Sequence, residues 1–91
     1  MSVSVSFASP FLRLAGGSKN VEGNGRNVGE LIEALESRFP GIRASILDEQ
    51  GRIYPYLNIY LNERDIETLS GLDTPLQEGD QVFVVPAIAG G

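Results

Sequence analysis

Asn27-Val28-Gly29-Glu30-Leu31-Ile32-Glu33-Ala34-Leu35-Glu36-Ser37-Arg38-Phe39 is the stretch that decides the fold. Val28, Leu31, Ile32, Leu35 and Phe39 fall at i, i+3, i+4, i+7 and i+11, a single apolar stripe, so the spacing predicts one amphipathic helix. Asn27 suits the N-cap, and Glu30 three residues on suggests a capping box. Pro40-Gly41 stops the helix. Gly29 costs about 1 kcal/mol in helix propensity, which a close packing contact would explain.

Working outward, the flanks have a different period. In Ser2-Val3-Ser4-Val5-Ser6-Phe7 the apolar residues face one way and the serines the other, a half-buried strand. "SPFLRLAGG" holds turn formers, and residues 18–22, "SKNVE", read as the return strand of a hairpin. Residues 42–55 read as irregular, with Pro55 barring a central strand. "YLNIYLN", residues 56–62, is the next strand, with Leu57, Ile59 and Leu61 opposed to Tyr56, Asn58 and Tyr60. A long polar connection follows, with a helical turn expected at Thr74-Pro75. "QVFVVP" is the last strand, Val82 and Val84 opposed to Phe83 and Val85. The order strand, strand, helix, strand, strand predicts an α+β fold: four to five strands with one main helix packed across one face. The domain is expected over 1–86, with 87–91 as a flexible tail.

The helix covers only one sheet face. If Leu57, Ile59, Leu61, Val82 and Val84 meet it, then Tyr60, Phe83 and Val85 point away. An uncovered apolar cluster is either a partner surface or incidental.

Composition narrows the function. The chain has 91 residues, no cysteine and no histidine. That excludes a disulfide, a thiolate or histidine metal site, a cysteine nucleophile and an imidazole acid or base. Twelve acidic against seven basic residues give a net charge of −5, unlike a nucleic-acid binder. No apolar run approaches a membrane span, and the first residues lack the basic start of a signal peptide; a cytoplasmic protein is expected. "GNGRNVG" imitates a phosphate loop but has Val28 where the third glycine belongs. The carboxylates at 63, 65, 67, 78 and 80 form no twelve-residue calcium loop. No metal site and no catalytic residue is expected.

"PAIAGG" closes the sequence. Five residues after Pro86 reach about 17 Å when extended. Gly90 and Gly91 lack side chains and can thread a channel where a Cβ would clash. What such a tail would present is a carboxylate, and the protein is then expected to be a substrate and not a catalyst.

"LNIYLNERDIETLSGLDTPLQEGDQVFVVPAIAGG", "FLRLAGGSKNV" and "NVGELIEALESRFPGI" together resemble the MoaD/ThiS family of ubiquitin-like sulfur carriers, most of all those serving a cysteine-synthase-type enzyme. The specific parts are Asn62-x-x-Asp65, Glu78-Gly79-Asp80 and Gly90-Gly91. The resemblance implies the β-grasp fold and a monomeric carrier that binds no cofactor. It further implies that an E1-like enzyme uses ATP to adenylate Gly91, after which a sulfur donor converts it to a thiocarboxylate. Ile88, Ala89 and Gly90 would be the tail recognised by that enzyme, and Tyr60, Phe83 and Val85 the partner-binding patch. The sulfur would pass to a biosynthetic enzyme, cysteine-synthase-type first and molybdopterin-synthase-type second. A protein modifier joined to lysines through Gly91, and a plain β-grasp interaction module, are the alternatives.

Overall fold

The computed structural model describes residues 2–87. Five strands form one mixed sheet in the order β2-β1-β5-β3-β4. β1 (Ser2–Phe7) pairs antiparallel with β2 (Asn20–Asn24), Ser6 opposite Asn20 and Ser2 opposite Asn24. On its other side β1 pairs parallel with β5 (Gln81–Pro86), Val5 opposite Val82. β5 in turn pairs antiparallel with β3 (Leu57–Leu61), Ile59 opposite Val84, and β4 (Arg64–Asp65) borders the end of β3. The two β-branched strands lie side by side at the centre, where both their core-facing rows can be buried.

Helix α1 (Val28–Arg38) packs on one face. Its Val28, Leu31, Ile32 and Leu35 are buried with Val3, Val5, Phe7, Leu57, Ile59, Val82 and Val84. Contact with β2 is close because β2 has no side chain there: a Cβ on Gly23 would meet Leu31 Cδ1 at 2.5 Å. Asn27 Oδ1 accepts from the Glu30 N–H at 2.8 Å, as expected of an N-cap. The reciprocal half of the box differs. Glu30 reaches past Asn27 to accept from the Arg26 N–H at 3.0 Å and also pairs with the Arg26 guanidinium. That backbone hydrogen bond, with the nearby guanidinium, holds the Glu30 carboxyl below the usual glutamate value.

Several expected boundaries move. The return strand begins at Asn20, not Ser18, because "SPFLRLA" is a 3-10 helix (Ser9–Ala15) that lengthens the connection. Residues 42–55 are not irregular throughout. Ile42–Ile46 form a second helix, α2, whose Ile42 and Ile46 are buried, and Leu47 bridges Ile53. The Glu36 carboxylate organises this corner, accepting from the Arg43 N–H at 2.8 Å and the Gly41 N–H at 3.1 Å. These bonds, Arg43 first, lower its pKa. β3 is shorter than expected, with Tyr56 and Asn62 outside it and Leu61 only half-buried.

The polar connection 62–80 is a structural part of the core. Ile66, Thr74 and Leu76 are buried. The helical turn lies at Gly71–Asp73, while Thr74-Pro75 is extended and Pro75 bridges Asn27. The Thr74 carbonyl accepts from the Val28 N–H at 3.2 Å, and the Leu76 N–H donates to the Arg26 carbonyl at 2.9 Å. One of the orphan N–H groups at the start of α1 is thereby satisfied.

Two measurements check this packing. A Cβ on Gly25 would lie 2.6 Å from the Leu31 backbone nitrogen, whereas one on Gly29 would lie 3.4 Å from the Leu72 carbonyl. In urea denaturation Gly25→Ala should lose about 1–3 kcal/mol through overpacking. Gly29→Ala should stay within about 1 kcal/mol of the parent, since the gain in helix propensity offsets the contact. Equal losses would contradict the close seating of α1. In a carboxyl NMR titration, Glu30 and Glu36 should both titrate below the usual glutamate value. Their stabilisation is then complete above the unfolded-chain pKa and is lost as pH falls through the lowered one.

Candidate functional site

Strand pleat assigns the sheet face opposite α1. β1 supplies Ser2, Ser4 and Ser6, and β2 supplies Asn20 and Glu22 at the paired positions. β5 supplies Gln81, Phe83 and Val85, and β3 supplies Asn58 and Tyr60. The apolar groups in this set are Tyr60, Phe83 and Val85. Tyr60 and Phe83 are direct partners across β3 and β5, and Val85 lies opposite Asn58. Each is half-buried, in contrast to the buried Ile59, Val82 and Val84 of the other face. Ser6 and Asn20 continue the row on one side of Phe83, joined by a hydrogen bond, and Asp65 lies beyond Tyr60 on the other. The patch is apolar at its middle and polar at both margins.

β5 carries this patch towards the chain end. Pro86 lies opposite Leu57, and the Ala87 N–H donates to the Tyr56 carbonyl at 3.0 Å. Ladder geometry therefore continues one residue past β5. Ile88, Ala89, Gly90 and Gly91 lie outside the described residues. Tyr56, an exposed aromatic that the sequence reading did not single out, stands beside Ala87. Its ring stacks on Tyr54 at 5.0 Å between centroids, its hydroxyl donates to the Ser45 carbonyl at 3.2 Å, and it is 53% exposed. Its shared parity with Tyr60 was the available signal, but the bond to Ser45 draws it to the end of the sheet.

The sequence motifs turn out to set geometry. Asn62 has φ +56°, in the left-handed region; Asn is among the residues that tolerate it. Its Oδ1 accepts from the Gln81 N–H at 3.1 Å, and its own N–H donates to the Gln81 carbonyl at 2.7 Å. Asp65 accepts from the Glu67 N–H at 2.9 Å and caps a 3-10 turn. Glu78 accepts from the Ser2 N–H at 3.0 Å, and Asp80 accepts from the Gln77 N–H at 2.8 Å. The bonds of Asn62, Glu78 and Asp80 fix where β5 enters between β1 and β3. The "GNGRNVG" segment is filled by the chain's own acceptors: Arg26, Val28, Glu30 and Leu31 each donate their N–H within the protein. Among the described residues, no group of three or more carboxylates converges as a cation site, and no helix is long and apolar enough to cross a membrane.

A mixed sheet with one main helix, its first and last strands paired parallel at the centre, places the molecule among the ubiquitin-like β-grasp proteins. The chain belongs to the ThiS family, whose model matches residues 5–91. It is 36% identical over 93 residues to the sulfur carrier protein CysO of Mycobacterium tuberculosis, with both chains covered completely. The crystal structure of an Amycolatopsis orientalis BexX/CysO complex contains a similar chain: TM-score 0.88, 36% identity, 98% of this chain and 99% of the other covered. Small archaeal modifier protein 3 of Haloferax volcanii is 36% identical over 64 residues, 70% of this chain and 68% of that one. Its family is thus one of sulfur carriers of the MoaD/ThiS kind.

The two sheet faces predict different costs for similar truncations. Val84→Ala, in the core, should lose about 2 kcal/mol or more. Phe83→Ala, on the open face, should lose about 1 kcal/mol or less, despite removing the larger side chain. Chemical denaturation of both variants compares them directly. A loss of about 3–5 kcal/mol for Phe83→Ala would make that ring part of the core.

Proposed function

We propose that this protein is a sulfur carrier whose Gly91 carboxylate is activated and then sulfurated. The end-to-end likeness to the mycobacterial carrier, joined to the diglycine Gly90-Gly91, carries the reading. A carboxylate is a poor electrophile. Attack of its oxygen on the α-phosphorus of ATP releases pyrophosphate and leaves an acyl-adenylate with a good leaving group. Attack by hydrosulfide, or a donor delivering it, at the acyl carbon then breaks the C–O bond to AMP and leaves a thiocarboxylate. ATP belongs to the E1-like partner, so the carrier needs no bound cofactor and no catalytic side chain of its own.

The carrier's contribution is recognition. Tyr60, Phe83 and Val85 form the apolar centre of the surface that the activating and accepting enzymes share, and an aromatic at such a centre is a strong anchor. Ile88, Ala89 and Gly90 form the narrow part of the tail that enters the activating site. The recipient is a cysteine-synthase-type enzyme, in line with the likeness to CysO; a molybdopterin-synthase-type recipient stands second. Delivery on a protein keeps the sulfur from leaving as free sulfide.

ATP–pyrophosphate exchange with the host's adenylating enzyme tests this. Deletion of Gly91 should abolish exchange while leaving the melting temperature unchanged, because chain length fixes the position of the reacting carboxylate. Gly90→Val should also fold and fail, since a β-branched side chain both widens the tail and stiffens it. Normal exchange with either variant would overturn the role given to these two glycines.

A further inference from the structure

The charge of this chain is divided between its two ends. Segments 8–19, 37–47 and 53–56 close the sheet at the end where Ala87 lies. The ties are the Ala8 N–H to the Val84 carbonyl at 3.0 Å, the Phe7 N–H to the Lys19 carbonyl at 2.9 Å, and Tyr56 to Ser45. These segments hold four basic residues, Arg13, Lys19, Arg38 and Arg43, and no Asp or Glu. At the other end of β3 and β5, the connection 62–80 holds six carboxylates against the single Arg64. Glu36, on the Gly41 and Arg43 N–H groups, is a carboxylate that reaches into this end, so in a chain of net charge −5 the excess of cations there rests on Arg13, Lys19 and Arg38.

Two of the four cations are engaged locally. Arg43 pairs with Glu33, and Arg38 bonds the Glu22 carbonyl and lies over the Phe39 ring. Arg13 and Lys19 are exposed and form no ion pair among the described residues. Arg13 also stands at a groove of about 750 Å³ lined by Ser9, Leu12, Gly16 and Gly17, so cation and apolar surface adjoin. The two ends are separated by the length of β5, about 17 Å for its six residues, about twice the screening length of about 8 Å at physiological salt. A partner at the basic end therefore feels little of the distant carboxylates.

We propose that Arg13 and Lys19 form a docking collar for a carboxylate-rimmed protein surface at the opening that receives residues 88–91. The acidic end repels that rim, so the carrier meets it in one orientation, tail first. The collar rests on the carrier reading for its purpose but not for its charge. Attraction of this kind acts mainly on the rate of encounter and weakens with salt.

Two experiments test it. With the host's adenylating enzyme, Arg13→Glu/Lys19→Glu should raise the KM for the carrier about tenfold at low salt, a difference that shrinks as salt is raised. Glu63→Lys/Glu67→Lys, at the other end, should not raise it. A KM for the first variant equal to the parent's at every salt concentration would overturn the collar. Separately, poly-L-glutamate titrated into the ¹⁵N-labelled protein should shift amides of residues 8–19, and inorganic pyrophosphate should not. Shifts absent, spread over the whole surface, or matched by pyrophosphate would overturn it as well. A parent protein that is not adenylated, yet binds poly-L-glutamate at residues 8–19, would count against the carrier reading and in favour of the collar.

Discussion

The parallel pairing of β1 with β5 is the constraint on which the rest depends. It brings the first strand and the last to the middle of one sheet, although 73 residues, 8–80, lie between the end of β1 at Phe7 and the start of β5 at Gln81. Once β5 is inserted there, its pleat divides the chain's functions. Val82 and Val84 hold α1 to the sheet, and Phe83 and Val85 are half-buried on the opposite face. The same strand ends, at Pro86, on the side of the sheet where the segment holding Arg13 and Lys19 lies. Insertion is secured at its entry by Asn62, Glu78 and Asp80, whose side chains bond backbone groups or one another around Ser2, Gln77 and Gln81.

What the sequence revealed followed from regular periods. The stripe of α1 and the alternation of β1, β3 and β5 each repeat often enough to name both element and buried face. Parity alone placed Tyr60, Phe83 and Val85 opposite the helix. Short elements carry no such repeat. α2 has five residues, and the 3-10 turns at Ile66–Thr68 and Gly71–Asp73 have three each. Ile66 and Leu76 are therefore single apolar residues in a polar run, and only tertiary packing marks them as core. β2, with Gly23 and two asparagines, has little strand propensity of its own and is positioned by β1 and by the shape of α1. The basic end was invisible for a further reason: three segments distant in sequence assemble it.

A carrier of this kind has opposing requirements, which the architecture separates. Its body must be rigid enough for two different enzymes to recognise, and its reacting group must reach into a narrow site. The sheet and α1 share one packed core, and the open face is apolar where β3 meets β5 and polar along β1 and β2. Of the motifs that carry the family resemblance, Asn62, Glu78 and Asp80 position β5, and Asp65 caps the turn at Ile66–Thr68.

The central claim is that Gly91 carries sulfur, and intact-mass and C-terminal-peptide mass spectrometry tests it most directly. The protein should be co-expressed with its host's adenylating enzyme and sulfur donor. The account predicts a C-terminal peptide in which one carboxylate oxygen of Gly91 is replaced by sulfur, a group that an alkylating electrophile converts to a thioester and alkaline hydrolysis then returns to the carboxylate. An unaltered Gly91 carboxylate beside an active adenylating enzyme, or Gly91 joined through an isopeptide bond to lysine, would contradict it.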